Sequence, residues 1–149
     1  MIDKQLLLSH CQGLVLAKAD ALKLDIKNTR EAANNDTKSS MGDKYETSRE
    51  MLQQDINRLE QQLAETNLML FSLRSIKIKT HTLSIDMGTM VNTTLGIFFI
   101  AVSIGAINFN QHQVLVISQV SPLGKLLKDK KTGDVFTLNG QVQKILDIY

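Results

Sequence analysis

The chain reads as an α+β protein: an N-terminal antiparallel two-helix coiled coil followed by a small antiparallel β domain with one short helix. Three observations predict this. The first half is nearly free of turn-forming residues, with Gly13 and Gly42 its only glycines and no proline. An unbroken 4-3 alternation of seam residues runs from Tyr45 to Leu73. Beyond residue 87, the remaining six glycines and the sole proline, Pro122, punctuate short β-branched and aromatic runs. The change of texture puts a boundary near Arg74–Lys79, giving a hairpin over 1–75 and a β-rich domain over 76–149.

The second helix carries the clearest signal. Tyr45, Arg49, Leu52, Ile56, Leu59, Leu63, Thr66, Leu70 and Leu73 are spaced alternately by four and three, the period of a left-handed coiled-coil seam. Glu46, Glu50, Asp55, Glu60 and Glu65 fill outward positions, and Ser39 or Ser40 can cap the start. A helix is expected over about 42–74. In the first segment Leu8, Cys11, Val15, Leu22, Ile26 and Ala33 form one stripe. Asn34 to Ser40 then supplies turn and cap chemistry. Two helices of roughly 31 residues, each about 45 Å long at 1.5 Å per residue, should fold back on one another.

The second half predicts strands over Met90–Thr94, Ile97–Ser103 and Val114–Val120. Ser121-Pro122 opens a short helix carrying Leu123, Leu126 and Leu127. Lys131-Thr132-Gly133-Asp134 is a turn, and Asn139-Gly140 joins strands 135–138 and 141–148 in a hairpin. The apolar run Leu95–Ile107 is well short of the ~20 residues a membrane helix needs, and its glycines and β-branched residues suit buried strands.

Composition excludes several classes. A net charge of +2 gives no case for nucleic-acid binding from charge alone. Residues 1–74 carry 10 basic and 11 acidic side chains, and residues 75–149 carry 7 and 4. The single cysteine, Cys11, permits no internal disulfide and fits a reducing compartment, so a cytoplasmic location is expected. It lies on the apolar stripe, where a core thiol is the expectation rather than a nucleophile. His10, His81 and His112 lack metal-ligand spacing. No secretory signal opens the chain and no enzyme motif appears.

The order of parts resembles the bacterial transcript cleavage factor family, GreA/GreB. The resemblance rests on Val116 to Leu127 (strand, Ser-Pro, helix), the Lys131–Val135 turn, Gly88-Thr89-Met90-Val91, Val102–Gly105, and Tyr45-Glu46-Thr47-Ser48-Arg49-Glu50 in the second helix. It covers most of the chain, in order. The C-terminal hairpin departs from the family, with Asn139-Gly140 replacing a glycine-rich loop.

What the resemblance implies is an FKBP-like C-terminal domain that binds RNA polymerase and a coiled coil that enters its secondary channel. There, tip carboxylates help hold a Mg²⁺ shared with the polymerase, which cleaves backtracked RNA. The chain itself is then no enzyme and needs no tightly bound cofactor. It would act as a monomer, away from membranes, with only indirect RNA contact. Aligned without gaps, the family's two tip acids fall on Lys38 and Met41, neither a magnesium ligand. A gapped alignment puts them on Asp43 and Glu46, which share a helix face at i and i+3, with Asp36 in reserve. Helix capping and solvation are the bland roles for the same carboxylates. Ser121, Pro122, Lys125, Lys128, Lys130 and Lys131 are the candidate partner-binding residues; a solvated basic face is their bland reading. Three functions are open: a cleavage-stimulating factor, a non-cleaving regulator of the same channel, and a structural homodimer built on the coiled coil.

Overall fold

The computed structural model describes the backbone of residues 1–36 and 42–149, and the side chains of 1–35 and 46–149. Helix α1 spans Lys4–Asp36 and helix α2 spans Gly42–Ser75. Six strands and one helix follow: β1 (Met90–Thr93), β2 (Ile97–Ala101), β3 (Gly105–Phe109), β4 (His112–Ser118), α3 (Pro122–Leu127), β5 (Val135–Leu138) and β6 (Gln141–Ile148). The class is α+β, as the sequence predicts. The chain divides into two compact units, one formed by Met1–Gln12 with Ser72–Tyr149, the other by Gly13–Phe71.

In the helical unit α1 and α2 pack side by side. Val15, Ala19, Leu22 and Ile26 of α1 are buried, as are Ile56, Leu59, Thr66 and Leu70 of α2. Leu22, Ile26 and Leu59 form one cluster, with half-buried Leu63 against it. Most of the predicted seam is therefore a packed seam. Thr66 sits in it at no cost in lost hydrogen bonds, because its hydroxyl donates to the Gln62 carbonyl at 2.7 Å. Arg49, on the same 4-3 register, is exposed. A long guanidinium side chain keeps its charge in water.

The β unit holds a single sheet in the order β3-β4-β2-β1-β6-β5. Every neighbouring pair is antiparallel except β2–β4, which is parallel. The sheet is mostly antiparallel, as expected, with this one parallel pair. The parallel pair arises from β3, which begins at the end of the apolar run 95–107 and continues to Phe109. It pairs with β4 through a two-residue turn at Asn110-Gln111, with φ of 48° and 66°. Positive φ at both positions matches the twist of a tight hairpin. β4 then runs alongside β2 in the same direction. The turn expected at Asn139-Gly140 is of the same kind, with φ of 51° and 76°.

One face of the sheet carries the main core, with Val91, Phe98, Ile100, Ile117, Phe136 and Ile145 joined by Ile85 and by Leu127 of α3. Because side chains alternate along strands, Met90, Phe99 and Val116 belong to the other face, and they too are fully buried. The same unit contains buried Leu7, Leu8 and Cys11 of α1 and Leu73 of α2. The two helix ends are tied by a bond from Gln12 Nε2 to the Leu73 carbonyl at 3.2 Å. The His10 ring lies 5.3 Å from that of Phe109 on β3. Asp3 starts α1, its carboxylate accepting from the amides of Gln5 and Leu6 at 2.9 and 3.0 Å. Gly88, at φ 88°, lies where a β-carbon would come within 2.9 Å of Ile76, so glycine is needed for both conformation and space. Among the described residues no helix is long and apolar enough to cross a membrane.

Candidate functional site

Two regions carry the residues singled out from the sequence. The first is the segment from Ser118 through Asp134. β4 ends at Ser118, and Ser121 caps α3: its hydroxyl donates to the Ser118 carbonyl at 2.7 Å and accepts from the Gly124 amide at 3.0 Å. Pro122 follows at the first helical position, where a missing N–H leaves no unmet donor. It is exposed, whereas the Ser121 hydroxyl is already engaged on both sides.

Gly124 makes this turn possible. A β-carbon there would stand 2.1 Å from the Ser118 carbonyl oxygen and 2.8 Å from that of Gln119. The helix thus lies directly on the backbone of the preceding turn. It ends at Lys128, whose amide donates to the Gly124 carbonyl at 3.1 Å. In the turn before β5 the Asp134 carboxylate accepts from the Lys131 amide at 2.7 Å.

The lysines are placed by this frame. Lys125, Lys128 and Lys131 are exposed and Lys130 is half-buried. All ion pairs among the described residues lie within α1 and α2. The four ammonium groups are therefore unpaired among those residues. Asp129 and Asp134, also exposed, stand beside them in sequence.

The second region is the C-terminal end of α1 and the N-terminal end of α2. Glu46, in the first turn of α2, is exposed. Asp36 and Asp43 lie in helical backbone, at the end of α1 and the start of α2, but their side chains are outside the described residues, as are Lys38 and Met41. Among the described residues no group of three His, Cys, Asp or Glu side chains could hold a metal ion.

Between the C-terminal part of α1 and the N-terminal part of α2 the seam gives way to a cleft of about 360 Å³ lined by Arg30, Ala33, Asn34, Arg49, Gln53, Ile56 and Glu60. Arg30 of α1 forms an ion pair with Glu60 of α2 across it. The sequence held the signal for this opening. Arg49 occupies a seam position, and Ala33 is too short to fill the space a leucine would.

Cys11 lies wholly buried at the base of α1. Burial in apolar surroundings pushes its thiol up to about 11, opposed in part by a backbone hydrogen bond. A neutral buried thiol is no nucleophile at ordinary pH. The core role expected from its position on the stripe is the role it has.

No protein-family model matches the chain, and the search of curated proteins also gave no match. The fold class, an α+β protein with an N-terminal helical hairpin, stands on the structure itself.

Proposed function

We propose that this chain is a Gre-type factor that binds bacterial RNA polymerase and inserts its helical hairpin into the secondary channel, stimulating the polymerase's own cleavage of backtracked RNA. The observation that carries the reading is the joining of two parts in one chain. One is a helical hairpin with a buried leucine seam and with carboxylate positions where α1 ends and α2 begins. The other is a β domain whose Lys125, Lys128, Lys130 and Lys131 have no ion-pair partner among the described residues. The motif order from Tyr45 through Val135 supports the same assignment.

In this reading Asp43 and Glu46, one helical turn apart, supply two carboxylates to a hard cation shared with the polymerase, with Asp36 in reserve. That Mg²⁺ would polarise the attacking water; the chain's share is to carry its carboxylates into the channel on a stiff support. The basic segment from α3 to the turn before β5 docks on an acidic surface of the polymerase, with Ser121 and Pro122 at the contact. A cytoplasmic location and a monomeric state follow from the partner. The non-cleaving alternative rests on the ungapped register, which puts Lys38 and Met41 at the tip positions.

The test has two steps. Core polymerase is captured on the tagged full chain, and captured complexes stalled by backtracking are assayed for transcript cleavage. Capture with added cleavage that Asp43→Ala/Glu46→Ala abolishes supports the leading reading. Capture without cleavage supports the channel regulator. No capture, together with a dimer in solution, ends both and leaves the structural homodimer.

A further inference from the structure

Lys4 stands in the first turn of α1, yet it is only 8% exposed. Its ammonium donates to the carbonyl oxygen of Lys79 at 2.7 Å and lies 5.7 Å from the centroid of the Tyr149 ring. Tyr149 is itself held firmly: its backbone exchanges bonds of 2.7 and 3.1 Å with Met90, and its hydroxyl accepts from the Ile2 amide at 3.4 Å. Among the described residues no carboxylate pairs with Lys4.

A part-buried ammonium facing one neutral carbonyl and one ring gives up some of its hydration and recovers only part of it there. Methionine would fill the volume of the lysine stem without that penalty. A charge kept where an apolar side chain would do supplies direction. The carbonyl and the ring face together fix one position for the head group, whereas an apolar stem packs nearly as well when shifted along the helix.

We propose that Lys4 is a conformational key: it selects a single seating of the first turns of α1 on Lys79 and Tyr149, at a net expense of stability. This inference is independent of any polymerase partner. Its physical content is that the charge governs the local opening of α1, and the global stability resides elsewhere in the unit.

Lys4→Met in the full chain separates the two quantities. The midpoint of urea unfolding should stay the same or rise, while the amides of Leu7 and Leu8 exchange with solvent at least about tenfold faster, reporting local opening. Tyr149→Phe, which keeps the ring, should leave those exchange rates within about twofold of the wild type. Unchanged exchange in Lys4→Met overturns the proposal. So does a lowered midpoint or a failure to fold, since Lys4 would then be a plain stabilising contact. Acceleration in Tyr149→Phe equal to that in Lys4→Met also overturns it, by moving the control from the ammonium to the hydroxyl.

Discussion

The hydroxyl of Thr93 and the side-chain carbonyl of Gln143, fifty residues apart in sequence, meet at 2.7 Å inside the sheet. The same hydroxyl oxygen accepts from the amides of Leu95 and Gly96 at 3.3 and 3.1 Å, closing the turn that joins β1 to β2. The single hydroxyl proton has two acceptors in reach, the Gln143 side-chain carbonyl at 2.7 Å and the Gly96 carbonyl at 2.9 Å; the Gly96 carbonyl also receives the Thr93 amide at 2.9 Å, and the shorter contact is the one to Gln143. One threonine thus fastens a turn and satisfies a buried amide on β6. Thr93→Val keeps the shape and removes the oxygen, stranding Gln143. A buried polar group left without its partner costs about 1–3 kcal/mol. The urea-unfolding midpoint should fall accordingly, and Thr93→Val/Gln143→Leu should recover part of the loss. A double mutant no better than the single would contradict this account.

The turn below α3 makes a sharper case. At Gly124 a methyl group would fall 2.1 Å from the Ser118 carbonyl oxygen, a backbone atom that cannot rotate away. Gly124→Ala must therefore lift α3 off the β4 turn and disturb the packing of buried Leu127. Overpacking of this kind typically costs about 1–3 kcal/mol, and the backbone clash puts this site at the upper end. Ser121→Ala loses the cap and the bond to the Ser118 carbonyl but creates no clash, about 1–2 kcal/mol. Thermal unfolding of the two variants should rank them in that order.

How much of this could be read from the sequence depends on how local each cause is. The α2 seam was legible because one helix face repeats over four turns and more, so the 4-3 spacing carries the message without knowledge of the partner helix. The Asn139-Gly140 hairpin was legible because its backbone conformation is written in two residues. Strand β3 was not: Gly105–Phe109 is short, opens on glycine and adjoins the apolar residues of β2, so periodicity merges the two. The parallel pairing of β2 with β4 is a matter of strand order, which no local pattern encodes. Lys4 in a first turn looks like any solvated lysine, and its burial arises from Lys79 and Tyr149 far along the chain. Ser121-Pro122 announced a helix start, but the need for glycine two residues later comes from a carbonyl on the preceding strand end. Of the proposed tip carboxylates only Glu46 has a described side chain, and its exposed place on α2 follows from the same seam spacing.

Cys11 predicts a pH dependence with a definite sign. The folded protein keeps the thiol neutral up to about 11, against an ordinary value of 9.0. A raised value in the folded state means the contribution is fully present below 9 and is lost as pH rises towards 11. Two pH units correspond to roughly 3 kcal/mol at most. Lys4 works the other way over the neighbouring range. Burial lowers its ammonium below the ordinary 10.5, so the folded state sheds that proton first and its penalty fades as pH rises. The comparison is therefore between the wild type and Cys11→Ala, in which the Lys4 contribution cancels. The stability difference should be constant from pH 7 to about 8.5 and shrink above 9. A difference that grows with pH would mean the thiol ionises more readily in the folded chain than the burial of Cys11 allows.

Within the helical unit, packing and charge should contribute very unequally. Leu59 is 8% exposed and packs with Leu22, Ile26 and Leu63, so Leu59→Ala removes buried methyl groups and leaves a gap between two stiff helices. Core leucine truncations cost about 2–5 kcal/mol; a seam with water on both sides can partly collapse, which places this one near 2–3. The Arg30–Glu60 pair spans the same two helices, but its side chains are 58% and 45% exposed. An ion pair so open to solvent contributes under about 1 kcal/mol and weakens as salt is added. Helix content followed through urea unfolding should therefore show a large loss for Leu59→Ala at every salt concentration. Arg30→Gln should show a small one that vanishes by about 1 M salt, where the screening length is only a few ångströms. Equal losses for the two variants would mean that the hairpin is held by charge across the cleft and not by its leucine seam.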